Sequence, residues 1–211
     1  MAPSKLIVEF TGTFFLVLTI GMVVLDPGSA GAMAPVAIGA VLMAMVYAGG
    51  HVSGAHYNPA VTMGVLLRGR CAPRDAGAYV VAQVAASVAA SMVVLHLKGG
   101  GSVQPLVVKA APVLISEALF TLALVWVVLH VATAKGTAGN SFYGAAIGFV
   151  VAAGAFAVGP ISGGAFNPAV AVALGMMGLV AWADLWVHLA AEAAGAAAAV
   201  GAFRAAVKDA G

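Results

Sequence analysis

Apolar residues run for about twenty positions at a time between short stretches of Gly, Pro and charge. The runs lie near 5–25, 33–50, 75–97, 112–132, 142–160 and 180–203. A helix rising 1.5 Å per residue crosses the roughly 30 Å hydrocarbon layer in such a run, so six spanning helices are predicted. Two further apolar stretches, from Asn58 to Arg68 and from Asn167 to Gly178, reach only about half that thickness and read as half-helices. No segment shows the polar-apolar alternation of an outer-membrane barrel strand, so the predicted fold is an all-α membrane bundle.

The pattern is duplicated. Ser53-Gly54-Ala55-His56-Tyr57-Asn58-Pro59-Ala60-Val61 returns as Ser162-Gly163-Gly164-Ala165-Phe166-Asn167-Pro168-Ala169-Val170, 109 residues later. Glu9 precedes Asn58 by 49 residues and Glu117 precedes Asn167 by 50, while Gln83 and Glu192 each follow their Asn by 25. Each half holds three spans and one half-helix. Three is odd, so the second copy enters from the opposite face, an inverted repeat with its axis in the membrane plane. The expected organisation is one membrane domain over residues 1–211, with repeats of about 1–105 and 106–211.

Asn is a good N-cap, and Pro is best tolerated at the first helical position, so each Asn-Pro-Ala is a helix start. Half-helices entering from opposite faces bring these starts together near the midplane, where both positive dipole ends meet and repel cations. The Asn58 and Asn167 amides add donors for the oxygen of a small solute. Non-helical backbone at this depth is tolerable where it lines a wet cavity, so the spacing points to a pore. A lone Asn-Pro-Ala is a trivial cap. Here two of the chain's three Asn head the tripeptide at matching places in duplicated halves.

Composition closes off other classes. Of 211 residues, 63% are hydrophobic and 8% charged, with a mean hydropathy of +1.09; a soluble surface needs about 25% charge. No length is left for a separate soluble catalytic domain. The formal net charge of +2 comes from singly scattered basic residues rather than a stripe, which argues against nucleic acid. Lys5, Arg68, Arg70, Arg74, Lys135, Arg204 and Lys208 fall on the side of the termini, against Lys98 and Lys109 opposite, so both termini are expected in the cytoplasm. Trp182, Trp186, Tyr79 and Tyr143 are expected as interfacial anchors, and ordinary packing explains Trp126 equally well. Cys71, the single cysteine, is assigned no role. The run from Leu6 to Leu25 is followed by Asp26-Pro27-Gly28 rather than a small-residue cleavage site, so the first span is expected to be retained.

These features resemble the aquaporin and glycerol-facilitator family, the major intrinsic proteins. The resemblance rests on Glu9, the stretch Gly50 to Thr62 with its His51 and His56, Glu117, and Gly159 to Ala169. It implies six spans with two re-entrant loops, a pore in each protomer and a homotetramer. It also implies that backbone carbonyls before each motif Asn line the pore, here Gly54, Ala55, His56 and Tyr57, and Gly163, Gly164, Ala165 and Phe166. Glu9 and Glu117 correspond to carboxylates that brace the loops, and His51 and His56 to satisfied structural imidazoles. The expected location is a bacterial cytoplasmic (inner) membrane.

The chain departs from the family at its outer constriction. By offset from the motif Asn residues, the four filter positions are Ile38, Ala155, Gly164 and Val170. The family usually places aromatics or His at the first two and almost always Arg at the last. A wide, apolar filter is therefore expected, with the Arg absent. Ala171-Val172 replaces the Asp-containing continuation of glycerol facilitators. Glu192, with His188 one turn away on the same helix face, invites either a buried hydrogen bond or a proton-sensitive role. Gly144 and Gly148 allow close packing of the fifth span.

The expected function is passive conduction of water or small uncharged solutes of glycerol, urea or metalloid-acid size, with no cofactor, no metal and no catalysis. Partners are the solutes, lipid and further copies of the chain. A secondary transporter with inverted repeats and a channel with relaxed exclusion of cations or protons are the alternatives. No constellation of catalytic residues shares one depth, which argues against an intramembrane enzyme.

Overall fold

The computed structural model describes residues 2–26, 29–99 and 103–207; Lys208 and the Pro27-Gly28 pair lie outside them. The described residues form eight α-helices joined by turns and loops: α1 Pro3–Val24, α2 Ala34–Ser53, α3 Pro59–Leu67, α4 Pro73–Lys98, α5 Ala110–Thr133, α6 Tyr143–Ser162, α7 Pro168–Met176 and α8 Leu185–Ala206. All except α3 and α7 have 20 residues or more and are apolar enough to cross a bilayer. The last span starts later than the hydropathy suggests, because Trp182–Asp184 first forms a 3₁₀ turn. In contrast, α2 and α6 run on to Ser53 and Ser162 and end at Gly54 and Gly163, whose φ of +89° and +86° suit glycine and turn the chain into the two loops.

Within the first half α1 packs on α2 and α4, and within the second α5 packs on α6 and α8; α2 against α6 joins the halves. The half-helices cross over, with α3 lying on α8 and α7 on α4. Helix association in lipid lacks a hydrophobic drive, so close approach depends on small residues. A Cβ on Gly148 would stand 2.4 Å from the Gly39 carbonyl oxygen, and one on Gly195 would stand 2.4 Å from that of Ala118. These glycines set the α2–α6 and α5–α8 spacings. Gly144 instead receives the ring of Tyr47, which packs edge-on against Tyr143 at 5.1 Å.

Trp182 and Trp186 are 56% and 59% exposed, as anchors should be. Tyr79 is not an anchor: it is 2% exposed and its hydroxyl donates to the Ser53 carbonyl at 2.7 Å. Its place near a span end suggested the interface, but the first loop folds back to that depth and covers it.

Candidate functional site

Each motif Asn caps its half-helix. Asn58 Oδ1 accepts from the N–H groups of Ala60 at 2.7 Å and Val61 at 3.3 Å, and Asn167 Oδ1 accepts from Ala169 at 2.9 Å. The remaining side of each amide faces the other loop. Asn58 Nδ2 donates to the Phe166 carbonyl at 2.8 Å, and Asn167 Nδ2 donates to the Tyr57 carbonyl at 3.0 Å. Two loops 109 residues apart are thereby tied by a reciprocal pair of hydrogen bonds.

The loop backbone is unusual. Ala55, Tyr57 and Phe166 have φ near +50°, the left-handed region that non-glycine residues rarely occupy. Such a conformation costs of order 1–3 kcal/mol per residue and persists only where the surroundings dictate it. Here buried carboxylates supply the dictation. Glu9 Oε1 accepts from Ser53 Oγ and the His56 N–H, and its Oε2 from the Tyr57 N–H and Gln83 Nε2, at 2.7–3.0 Å. Glu117 accepts from the N–H groups of Ala165 and Phe166 at 3.0 and 2.7 Å. Glu192 Oε1 takes the Asn167 N–H at 2.9 Å, and His188 Nε2 lies 2.7 Å from the Ser162 carbonyl. Each such bond contributes about 0.5–1.5 kcal/mol net, and leaving one of these N–H groups unpaired would cost about 1–3 kcal/mol, so together they hold the loops at a depth where water cannot.

His51, expected beside the two glutamates as a support, is exposed and takes part in none of these bonds. It sits in the last turn of α2. His56 has the supporting place instead, with Nδ1 3.1 Å from Thr62 Oγ1 and its ring edge-on to Tyr79. Tyr57 is wedged between α1 and α2: its hydroxyl donates to the Met45 carbonyl at 2.9 Å, and Gly12 and Gly49 leave the room its ring occupies.

A cavity of about 290 Å³ runs from the ends of α1 and α2 at Val24 and Ala34 down to Asn58 and Asn167. That is roughly ten times the share of volume one water takes in the liquid. Ile38, Ala155, Gly164 and Val170 all line it, as do Ala55, His56, Tyr57, Gly163 and Ala165. The opposite wall is apolar, with Leu16, Ile20, Leu42, Val128 and Ile147. Phe166 is absent from the lining; its carbonyl, expected to face the pore, is turned to Asn58. Gly54 lines a second cavity of about 500 Å³ on the side of the α5–α6 connection.

Residues 2–203 match the family described as Major intrinsic protein. The chain belongs to it. This major intrinsic protein is 40% identical over 209 residues to the aquaporin NIP1-4 of Oryza sativa subsp. japonica, covering 95% of this chain and 76% of the relative. To the aquaporin NIP1-1 of Zea mays it is 33% identical over 217 residues, covering 95% and 73%. Its fold is shared with the aquaglyceroporin from Plasmodium falciparum, at a TM-score of 0.80 and 19% identity over 95% of this chain and 94% of that one. Such a family member is an integral membrane channel for water and small solutes and not an enzyme. Relatives of plant origin give the expected bacterial inner membrane no support.

Sequence reasoning missed Tyr79, Ser87 and Gln83 as parts of the site. Ser87 Oγ donates to the Ala169 carbonyl, in the first turn of α7. A polar residue inside an apolar span was the available signal, and for Gln83 the match to Glu192 was a second.

Proposed function

We propose that this channel passes water together with neutral solutes of glycerol, urea or metalloid-acid size through a wide, apolar outer filter formed by Ile38, Ala155, Gly164 and Val170. The observation that carries the reading is that these four positions share one cavity with Asn58 and Asn167, and none brings a side-chain hydrogen-bond donor or a charge. A solute entering from outside is desolvated against an apolar wall and meets its first donors at the two Asn amides. Cations meet the positive ends of α3 and α7 there. No carboxylate lines the cavity among the described residues, which favours a passive pore over an ion-coupled carrier.

The protomer works within a homotetramer of four separate pores, by likeness to the family, and its termini lie on the cytoplasmic side, as the distribution of Lys and Arg suggests. Purified protein in liposomes, followed by stopped-flow light scattering with water, glycerol, urea and boric acid, tests the reading. Passage of all four, without saturation and indifferent to imposed ion gradients, is expected. Passage of water alone would show that some other residue closes the mouth. Native mass spectrometry in mild detergent tests the tetramer.

A further inference from the structure

The second cavity, about 500 Å³, is framed by Gly50 in the last turn of α2 and its cap Gly54, by residues 131–135 and 137–140, and by Tyr143. Gly54 is the immediate neighbour of Ala55, which lines the main cavity. A Cβ on Gly54 would also stand 3.4 Å from the ring of His56, which lines the main cavity, so the two spaces lie against opposite sides of the first re-entrant loop, and the second has the place of an inner vestibule. Among the described residues two charged side chains line it, Arg70 and Lys135, and none lines the main cavity.

Both are held by their backbones. Arg70 N–H donates to the Val65 carbonyl at 3.0 Å, closing the turn after α3. Lys135 opens the 3₁₀ turn Lys135–Thr137, which Thr137 ties to the His130 carbonyl and Asn140 Nδ2 ties to the carbonyls of Val131 and Thr137 at 2.7 and 2.6 Å. Asp75, a short way along from Arg70, is engaged by Lys5 at 3.3 Å. No ion pair among the described residues neutralises Arg70 or Lys135.

We infer that Arg70 and Lys135 make the inner vestibule a charge filter, repelling small monovalent cations before they reach the Asn pair. The inference rests on the pore reading above. Val170 leaves the outer mouth without a fixed positive charge, so the path carries its formal charge at the opposite end. Two like charges facing a confined space raise the energy of an entering cation and leave a neutral solute unaffected. Because both side chains are exposed, the effect is screened by salt, with a Debye length of about 30 Å at 0.01 M falling to about 3 Å at 1 M.

Guanidinium and urea, nearly the same shape and differing by one charge, are the probes. Their permeabilities are measured in proteoliposomes for the wild type, Arg70→Gln/Lys135→Gln, Arg70→Glu/Lys135→Glu and the control Arg74→Gln, which removes an exposed charge outside the vestibule. The guanidinium-to-urea ratio is expected to rise about five-fold in the Gln pair and further in the Glu pair at 0.01 M salt, and to return toward wild type at 1 M. Arg74→Gln should leave it unchanged. An unchanged ratio in both pairs, or an equal rise in Arg74→Gln, overturns the filter while urea flux keeps the pore reading intact. Absence of urea flux in the wild type removes the path itself, and this inference with it.

Discussion

The carboxylate of Glu192 holds the backbone N–H of Asn167 at 2.9 Å. In the first half the equivalent place belongs to Gln83, whose amide bonds Glu9 and Thr62 instead. The second motif is therefore braced by two acids where the first is braced by an acid and an amide. Glu192→Gln keeps a carbonyl acceptor for Asn167 and should retain folding and flux. Glu192→Leu leaves a buried N–H unpaired, at a cost of about 1–3 kcal/mol, and should lower both the unfolding temperature in detergent and solute flux. Equal behaviour of the two variants would show that the bond does not hold the loop.

Val170→Arg restores a long donor at the outer mouth. It should depress glycerol and urea permeability at least ten-fold while reducing water permeability far less, since a side chain of that length projects into the 290 Å³ cavity. Stopped-flow shrinkage with each solute reads the ranking directly. An unaltered ranking means that Val170 does not bound the narrow point.

Asn58→Asp and Asn167→Asp preserve the oxygen that caps the half-helix but lose the Nδ2 donor that reaches the other loop. Negative charge also replaces a neutral amide at the dipole ends, where the macrodipole favours anions and the change invites cations. Increased guanidinium leak relative to urea is expected in well-folded variants, and flux with the wild-type ratio would count against a selectivity role for the amides.

Gly148→Ala places a Cβ 2.4 Å from the Gly39 carbonyl oxygen, forcing α2 and α6 apart. Overpacking of this kind costs about 1–3 kcal/mol. Gly201→Ala, in α8 with nothing among the described residues within 4 Å of the added atom, is the control. Thermal unfolding in detergent should separate the two clearly.

Cys71 lies in the turn between α3 and α4, where partial burial and then the nearby Asp75 carboxylate push its thiol above the ordinary value. The thiolate is the reactive form. Maleimide labelling should thus be slow at pH 7 and accelerate as pH rises past the usual thiol range. A rate already at its plateau near pH 7 contradicts that environment.

The six spans, both half-helices and the pairing of the Asn motifs were legible because each rests on a local rule: run length, a Pro at the first helical position, and a repeat offset. Span ends were less so, since the 3₁₀ turn at Trp182–Asp184 and the glycine caps at Gly54 and Gly163 follow from backbone geometry rather than hydropathy. Tyr79 was misplaced for a related reason: linear position near a span end says little about which side of the helix a loop returns to cover, and the first loop covers Tyr79. His51 was carried over from the family pattern, and it stands exposed in the last turn of α2. The vestibule charges were hidden altogether, because Arg70 and Lys135 are 65 residues apart and look like topology signals in the chain.

The crossed amides of Asn58 and Asn167 also have a consequence for biogenesis. Each half, inserted alone, has a re-entrant loop whose Asn amide lacks its acceptor and a half-helix without the opposite span it rests on, α8 for α3 and α4 for α7. The first half leaves the ribosome before its partner exists, so the Asn58 amide meets its acceptor, the Phe166 carbonyl, only after the second motif has been made. Neither loop gains its crossed hydrogen bond until both repeats are in place, so each copy depends on the other for its final closure.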